Sequence, residues 1–307
     1  MTAIEEITSV HGVGPNVLSA QCVAFVTPHK ATYLKPLYEA FAASQPEPWR
    51  THIFWPEEHL SEHPQELLTP LAKNLDVRRV VSRNIGRKFF GGRELQEALS
   101  AADPRMIVIQ EYSPFSLGGL RFARKRKIPV VVMTEVGARN RHLFSRRAQL
   151  WHSLCSRFVN GIAAACPAAH ESISGRKLPS VSIYHAVDSQ LYEPLPPTQK
   201  NGTVIFAYLG QLIPRKGLDL WMAAARKLRD SGREDFKLRI IGGGDDAWLQ
   251  SVIAASGMDD KIEYCGFLSG AALREALGTS DVFVLPTRAD SYAAVVHEAA
   301  CLGPLFS

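Results

Sequence analysis

Short apolar runs of strand length alternate along the chain with longer amphipathic segments. In the first half these runs are QCVAFVTP at 21–28, RTHIFWP at 50–56, RMIVIQEY at 105–112, IPVVVMTE at 128–135 and GIAAAC at 161–166. The segments between them carry apolar residues at helical spacing, as in RELQEALSAADP at 93–104. Apolar strands separated by single helices predict a parallel sheet that is covered on both faces.

The same alternation restarts after a polar, proline-rich segment. Residues 192–202, YEPLPPTQKNG, have the composition of a linker. The strands predicted beyond it are TVIFAYLG at 203–210, FKLRIIGGG at 236–244, KIEYCGF at 261–267 and DVFVLPT at 281–287. Because a helical segment follows each of them, we expect two open α/β domains, 1–194 and 195–307. Such domains bind ligands at the carboxyl ends of their strands, so we expect a cleft between the two sheets.

Composition favours a globular protein of the reduced cytoplasm. The chain has 307 residues, of which 46% are hydrophobic, enough for a core in each domain. Its first twenty residues contain two glutamates and no basic region, so they are a poor signal peptide. No apolar stretch reaches membrane-spanning length, and the five cysteines are scattered without CxxC spacing.

Positive charge is concentrated in one part of the chain. Between Arg121 and Arg157 there are ten Lys or Arg residues and one acid, Glu135, whereas the whole chain has a net charge of only +5. Such a block favours contact with an anionic surface, which could be phospholipid, a phosphate-bearing substrate or nucleic acid. Ordinary solvated helix faces explain the same block equally well.

The segment LGQLIPRKGLDLW at 209–221 combines a strand end, a basic loop and the start of a helix. Arg215 and Lys216 precede Gly217, after which the helical pattern begins. Cationic side chains and the backbone N–H groups of a helix start together suit a phosphate or diphosphate. Taken alone, the triplet is more often a basic surface loop.

Two other motifs suggest different chemistry. Gly242-x-Gly244-x-x-Ala247, followed by Glu263, has the form of a dinucleotide fingerprint, which makes a dehydrogenase a formal alternative. That fingerprint belongs on the first strand of its domain, and here another strand precedes it. The segment HLSEH at 59–63 matches a zinc-peptidase pattern, but the proline that follows disfavours the required helix, and we predict no metal site.

Two acidic residues lie in the last part of the sequence, between the last predicted strand and the helix expected after it. Asp290 follows the apolar strand DVFVLPT, and Glu298 lies eight positions later where a helix is expected. A turn and one helical turn would bring both carboxylates to the same edge of the sheet, where they could accept hydrogen bonds from sugar hydroxyls. The alternative is a plain helix start, with Asp290 or Ser291 as the cap and Glu298 exposed.

Together these segments resemble the retaining glycosyltransferases of family 4. The resemblance covers most of the chain and is densest in YLGQLIPRKGLDLWMAAARKL, LRIIGGGDD and the stretch from Asp290 to Glu298. The segments ADPRMIVIQEYSPFSLGGLRFARKRKIPVVVMTEVG and NGIAAACPAAHESI are similar to the family's acceptor domain. The resemblance implies the GT-B fold, in which two Rossmann-like parallel-sheet domains face each other across a cleft, and it implies no cofactor.

The family's donor is a nucleotide-diphosphate sugar, bound mainly by the C-terminal domain. The resemblance implies that Gly210, Arg215, Lys216, Asp290 and Glu298 bind the donor. Lys216 and Asp290 would be catalytic, since the lysine stabilises the departing diphosphate and the aspartate contacts the transferred sugar. Glu298 would hold the ribose hydroxyls. The expected reaction moves a hexose to a polysaccharide or a lipid-linked acceptor.

Several positions depart from the family pattern. Asp290 stands in place of the usual glutamate, Ala293 in place of a glycine and Gln211 in place of an arginine, while Glu135 is the nearest ionisable group where many members have a histidine. These departures leave open a transferase-like protein that binds a nucleotide sugar or a partner without catalysis.

The resemblance also bears on the chain's end and on its surroundings. Family members continue beyond the final CLGPLFS with further strands and helices, so the second domain is expected to be incomplete. The basic block between Arg121 and Arg157 interleaves arginines with apolar residues, which predicts peripheral contact with the anionic inner face of a membrane. We expect no binding of nucleic acid.

Overall fold

The chain folds into two compact units, Met1–Ala186 and Val187–Ser307. The computed structural model describes residues 21–28, 34–56, 72–85, 88–184, 187, 193–195, 202–303 and 305–306. The predicted boundary between residues 194 and 195 lies slightly later in the chain than the division between the units and stays a prediction. The first twenty residues, the HLSEH segment and most of the predicted linker lie outside the described residues.

Unit 1, Met1–Ala186, is built on a seven-stranded parallel sheet with the strand order β3-β2-β1-β6-β7-β8-β9. Its strands are β1 (Cys22–Val26), β2 (Arg50–Pro56), β3 (Leu75–Val80), β6 (Met106–Gln110), β7 (Val130–Thr134), β8 (Gly161–Ala164) and β9 (Ser180–Ser182). A separate antiparallel hairpin consists of β4 (Arg83–Ile85) and β5 (Lys88–Phe90). The α-helices are α1 (Lys35–Ser44), α2 (Arg93–Ala102), α3 (Pro114–Arg126) and α4 (Arg146–Ser156).

The central strands of unit 1 are buried on both faces, as the lack of alternation in their sequences predicts. Every residue of β1 and of β7 is buried. On one face, Phe25 packs edge-on against Tyr38 and Phe41 of α1, with both ring centroids 5.1 Å away. Such edge-to-face contacts add to the free energy gained from burial of the aromatic rings.

The sequence patterns missed three pieces of unit 1: β3, the β4–β5 hairpin and β9. The sequence of β3, LDVRRV, has no apolar run, because this strand lies at the edge of the sheet. Asp76 and Arg78 form an ion pair there with a separation of 2.6 Å. Charged side chains are common on edge strands, where they discourage pairing with another chain.

Unit 2, Val187–Ser307, contains a five-stranded parallel sheet with the order β12-β11-β10-β13-β14. Its strands are β10 (Val204–Leu209), β11 (Phe236–Ile241), β12 (Ile262–Gly266), β13 (Val282–Phe283) and β14 (Leu305–Phe306). Its α-helices are α5 (Leu218–Asp230), α6 (Asp246–Ser256), α7 (Gly270–Gly278) and α8 (Ala294–Leu302). The predicted α/β class, with a parallel sheet in each half, is therefore confirmed, although β13 is shorter than its apolar run suggested.

In both sheets the strand order reverses beside the first strand. In unit 1 the chain runs from β1 outward to β3 and returns to the other side of β1 as β6. In unit 2 it runs from β10 outward to β12 and returns as β13. Open α/β sheets bind ligands at the carboxyl ends of the two strands that flank such a reversal. Within the described residues, no helix is both long and apolar enough to cross a membrane.

Candidate donor site

The loop after β10 approaches the loop after β13 so closely that one position must be glycine. Residues Pro214–Lys216 form a single 3₁₀ turn, and Gly217 follows with a φ of 75° before α5 begins at Leu218. A Cβ atom on Gly217 would lie 2.0 Å from the carbonyl oxygen of Pro286. The glycine in the basic triplet therefore permits both the left-handed backbone and the close packing of the two loops.

Arg288 fixes the position of the second loop against the first. Its backbone N–H donates to the carbonyl oxygen of Arg215 at 2.9 Å, and its Nη1 donates to the carbonyl oxygen of Pro214 at 2.7 Å. The guanidinium also binds both carboxylate oxygens of Asp219, at 2.8 and 2.6 Å. These hydrogen bonds from Arg288 lower the pKa of Asp219 below its ordinary value.

Lys216 and Asp290 form an ion pair between these two loops. The Lys216 Nζ donates to the Asp290 Oδ2, and only 12% of the lysine side chain and 15% of the aspartate side chain remain exposed. Beside this pair, the Arg215 Nη1 donates to the carbonyl oxygen of Ala289. An ordinary surface loop would leave Lys216 in water, so burial argues against that interpretation of the basic triplet.

The plain helix-start interpretation of Asp290 also disagrees with the geometry. The N-cap residue of α8 is Ala293, which makes no side-chain cap. Asp290 lies before the cap and directs its carboxylate to Lys216. Glu298 is half-buried in the middle of α8, and Gln211, at the family's arginine position, is exposed. The roles predicted for Gly210, Arg215, Lys216, Asp290 and Glu298 stay predictions.

The glycine run after β11 has a packing role. Gly242 has a φ of 149°, and a Cβ on it would lie 1.9 Å from the carbonyl oxygen of Gly210. Glu263, the acid of the formal dinucleotide fingerprint, accepts hydrogen bonds from Arg239 at 3.1 and 3.2 Å. Close contact between two loops of the same sheet thus accounts for the glycine, which weakens the dehydrogenase alternative.

Metal ligands do not cluster in the part of the chain that the structure describes. No group of three or more His, Cys, Asp or Glu side chains is arranged there to hold a metal ion. The five cysteines are unpaired. The predicted absence of a metal stays a prediction.

Glu111 in unit 1 was missed by sequence reasoning. It follows β6 directly, has a φ of 51°, and accepts hydrogen bonds from Thr134 Oγ1 at 2.6 Å and from the backbone N–H of Glu135 at 2.7 Å. Burial raises the pKa of the Glu111 carboxyl to about 7, while those two hydrogen bonds act in the opposite direction. The polar residues Gln110 and Glu111 at the end of an apolar run were the available signal.

The family model of glycosyl transferases group 1 matches residues 196–305. A GDP-mannose-dependent alpha-mannosyltransferase of Mycolicibacterium smegmatis is 27% identical over an alignment of 220 residues that covers 67% of this chain and 56% of that protein. The chain therefore spans about half the length of this relative, and it covers 55% of a second GDP-mannose-dependent alpha-mannosyltransferase, that of Mycobacterium tuberculosis.

Solved structures extend the likeness to both units. The Anabaena protein HepE in complex with UDP and glucose has a TM-score of 0.69 at 14% identity, covering 93% of this chain and 80% of that one. Sucrose-phosphate synthase from Thermosynechococcus elongatus has a TM-score of 0.70 at 13% identity, with the same coverage. At such identities the likeness shows the fold alone, and that fold is GT-B. The match to the family model of glycosyl transferases group 1 in unit 2 confirms the resemblance to glycosyltransferases that the motifs predicted.

Proposed function

We propose that this protein is a metal-independent glycosyltransferase, which moves a hexosyl group from a nucleotide-diphosphate sugar to a glycan or lipid-linked acceptor with retention of anomeric configuration. The observation that carries the proposal is the largely buried pair of Lys216 and Asp290 at the strand-order reversal of unit 2. Most of the surface of both side chains is withdrawn from water, although neither is needed to cap a helix. A buried lysine paired with a carboxylate suits a site that exchanges that carboxylate for a phosphate.

In the proposed reaction the bond between the anomeric carbon and the diphosphate oxygen breaks, and a bond from the acceptor oxygen forms on the same face. The acceptor's hydroxyl proton leaves with the diphosphate. Lys216 donates hydrogen bonds to the diphosphate as its negative charge grows. Asp290, released from Lys216, accepts hydrogen bonds from hydroxyls of the transferred sugar. Glu298 accepts hydrogen bonds from the ribose hydroxyls.

The donor panel should begin with GDP-mannose, because two curated relatives are named for it, and should include UDP-glucose, since a fold neighbour was solved with UDP and glucose. We expect release of nucleoside diphosphate with at least one donor. Lys216→Met should lower that rate by about 10² to 10³-fold, the loss typical of removing one transition-state donor. Lys227→Met is the matched control, because Lys227 is exposed on α5.

The principal alternative is a protein that binds a nucleotide sugar without turning it over. Asp290 reaches less far than the family's glutamate by one carbon–carbon bond, about 1.5 Å. Donor binding by calorimetry with no product from any donor would favour this alternative. Equal rates for wild type and Lys216→Met would refute the role proposed for the lysine.

We further propose that unit 1 contacts an anionic membrane surface, from the inner face of the cytoplasmic membrane. Large apolar side chains stand exposed on and around α4, among them Leu143, Leu150, Trp151, Leu154 and Phe158. Arginines from the same stretch of chain are exposed as well, and the guanidinium of Arg124 lies 4.0 Å from the ring centroid of Phe158. Exposed apolar side chains together with exposed cations are the two components that bind anionic lipid at an interface.

Vesicle sedimentation tests this surface. We expect the protein to sediment with phosphatidylglycerol vesicles and to remain in the supernatant with phosphatidylcholine vesicles. Leu150→Ser should weaken sedimentation, because Leu150 is 63% exposed. Leu220→Ser is the matched control, since Leu220 is 49% exposed on α5 in unit 2. Equal sedimentation with both lipids, or no effect of Leu150→Ser, would contradict the proposal.

A further inference from the structure

The carboxyl edge of the sheet in unit 1 carries buried polar side chains that the proposed donor site does not use. Thr27 follows β1, Gln110 ends β6 and Thr134 ends β7, and all three are buried. These strands are neighbours, in the order β1-β6-β7, and the reversal of strand order lies between the first two. This is the position at which an open α/β sheet binds a ligand.

The carboxylate of Glu111 is held at this edge in one orientation. Thr134 Oγ1 donates to its Oε2 at 2.6 Å, and the N–H of Glu135 donates to its Oε1 at 2.7 Å. Thr134 Oγ1 is itself fixed, because it accepts a hydrogen bond from the N–H of Val136 at 2.9 Å. Each carboxylate oxygen can accept a second hydrogen bond, so Glu111 is held in one orientation and can still accept hydrogen bonds from a ligand.

The backbone of Glu111 supports a functional role for this side chain. Its φ of 51° lies in the left-handed region, which residues other than glycine rarely occupy. The N–H of Glu111 donates to the carbonyl oxygen of Met133 at 2.9 Å, so the unusual backbone is held by the neighbouring strand. Such conformations cluster at ligand sites, where the surrounding structure enforces them.

We propose that Glu111 is the residue of unit 1 that contacts the acceptor, by accepting a hydrogen bond from a hydroxyl of a neutral sugar. This inference rests on the proposed transferase function. Carboxylates suit sugar hydroxyls because their oxygens accept several hydrogen bonds at once. A second carboxyl group follows closely at the same edge, that of Glu135, and like charges disfavour a phosphorylated sugar there. The acceptor class is therefore an uncharged glycoside.

Acceptor binding should depend on the ionisation of Glu111. The pKa of this carboxyl is raised to about 7, chiefly by burial; the hydrogen bonds from Thr134 and from the N–H of Glu135 lower it, and the charge of Glu135 raises it. Tyr112 beside it and Cys166 after β8 also face this edge, and burial raises the pKa of both, which keeps them neutral at pH 7. Above its pKa Glu111 is a charged acceptor, so acceptor binding should strengthen as the pH rises through about 7.

The test compares Glu111→Gln with wild type and with Glu94→Gln, a control on an exposed residue of α2. The acceptor probes are the methyl glycosides of mannose, glucose and galactose, and the readouts are acceptor KM and kcat between pH 5.5 and 8.5. We expect Glu111→Gln to raise the acceptor KM about tenfold and to remove the inflection near pH 7. Donor affinity, measured by calorimetry, should stay unchanged.

Three outcomes would overturn the inference. The first is an acceptor KM and pH profile of Glu111→Gln that match those of Glu94→Gln. The second is the same change in Glu135→Gln with none in Glu111→Gln, which would assign the contact to Glu135. The third is turnover of the donor by water with no response to any methyl glycoside. If the wild-type protein binds no nucleotide sugar, the proposed function itself fails, and that result is distinct from the other three.

Discussion

Removing either partner of the Lys216–Asp290 pair should destabilise unit 2 far more than the loss of an exposed ion pair. The two side chains are 12% and 15% exposed, so either charge would be left in a largely dry site when the other is removed. Breaking a buried pair in this way costs about 3–5 kcal/mol, whereas an exposed pair contributes about 0.2–1 kcal/mol. Since some exposure remains, we expect Lys216→Met and Asp290→Asn each to lower the free energy of unfolding by about 2–3 kcal/mol.

A double-mutant cycle separates the pair from its surroundings. The variant that carries both substitutions leaves no unpaired charge, so its loss should be smaller than the sum of the single losses, with a coupling energy of about 2 kcal/mol. Hydrogen exchange of peptides from β10 and β11 reports unit 2 directly, because these strands form the centre of its sheet. A coupling below about 0.5 kcal/mol would be that of a surface pair and would refute the reasoning.

The same variants should change nucleoside diphosphate binding in opposite directions. Lys216→Met removes the charged donor and should weaken GDP or UDP binding by about tenfold or more. Asp290→Asn removes a carboxylate that competes for the same lysine, so binding should tighten or stay unchanged. Weakened binding in both variants would mean that the pair supports the loops without exchanging partners.

Three further outcomes follow from single contacts. Gly217→Ala should lower the free energy of unfolding by about 3 kcal/mol, because the added Cβ would lie 2.0 Å from the carbonyl oxygen of Pro286. Gly202→Ala is the control: Gly202 has a similar φ but open space around it, so this substitution should lower the free energy of unfolding by only about 1 kcal/mol. In denaturant titrations, the free energy of unfolding of Glu111→Gln should rise by about 2 kcal/mol relative to that of the wild type between pH 5 and pH 8. The pKa of Glu111 is raised from 4.5 to about 7 in the folded state, so the wild type loses the stabilising protonated form over that range, whereas glutamine does not titrate. Arg239→Met should destabilise unit 2 by about 2–4 kcal/mol in the same titrations, because it leaves the carbonyl oxygen and hydroxyl groups around α7 without their donor.

The strands of both sheets were predictable where they are buried on both faces. In β1 and β7 every residue is buried, so the sequence must be apolar throughout and the run is visible without any knowledge of neighbours. The edge strand β3 carries Asp76 and Arg78, and its strand character depends on pairing with β2, which its own sequence does not encode. Local pattern therefore predicted the interior of each sheet better than its edges.

The sequence motifs singled out the residues of the candidate donor site, whereas the contacts between those residues were not predictable. Lys216 and Asp290 stood out because the motifs around them match those of a family. Their side chains meet because β10 and β13 are neighbours in the sheet, although 74 positions separate the two residues along the chain. Lys216 is buried because the loops after these two strands pack together. The spacing of residues near Lys216 in the sequence does not predict this burial.

Glu111 shows what reliance on a family pattern leaves out. Where many family members have a histidine, the nearest ionisable group in this sequence is Glu135. In the structure the backbone of Glu135 serves as a donor to Glu111, and the side chain of Thr134 does the same. The carboxylate thus comes from Glu111, which follows β6, the strand before β7 in the sequence. Glu111, Thr134 and Glu135 meet at the carboxyl edge of the sheet because β6 and β7 are neighbours in it.

One geometric rule accounts for the position of both carboxylates. Loops diverge to opposite faces of the sheet where the strand order reverses, and the crevice between them exposes backbone groups and side chains that no neighbouring strand covers. In unit 2 that crevice lies between β10 and β13 and contains the lysine–aspartate pair; in unit 1 it lies between β1 and β6, where Glu111 begins the loop. The two units have unrelated residues at these points, a lysine–aspartate ion pair in one and a partly buried carboxyl group in the other. Each arrangement suits one half of the transfer reaction that we propose, since a departing diphosphate needs positive charge and an acceptor hydroxyl needs a hydrogen-bond acceptor.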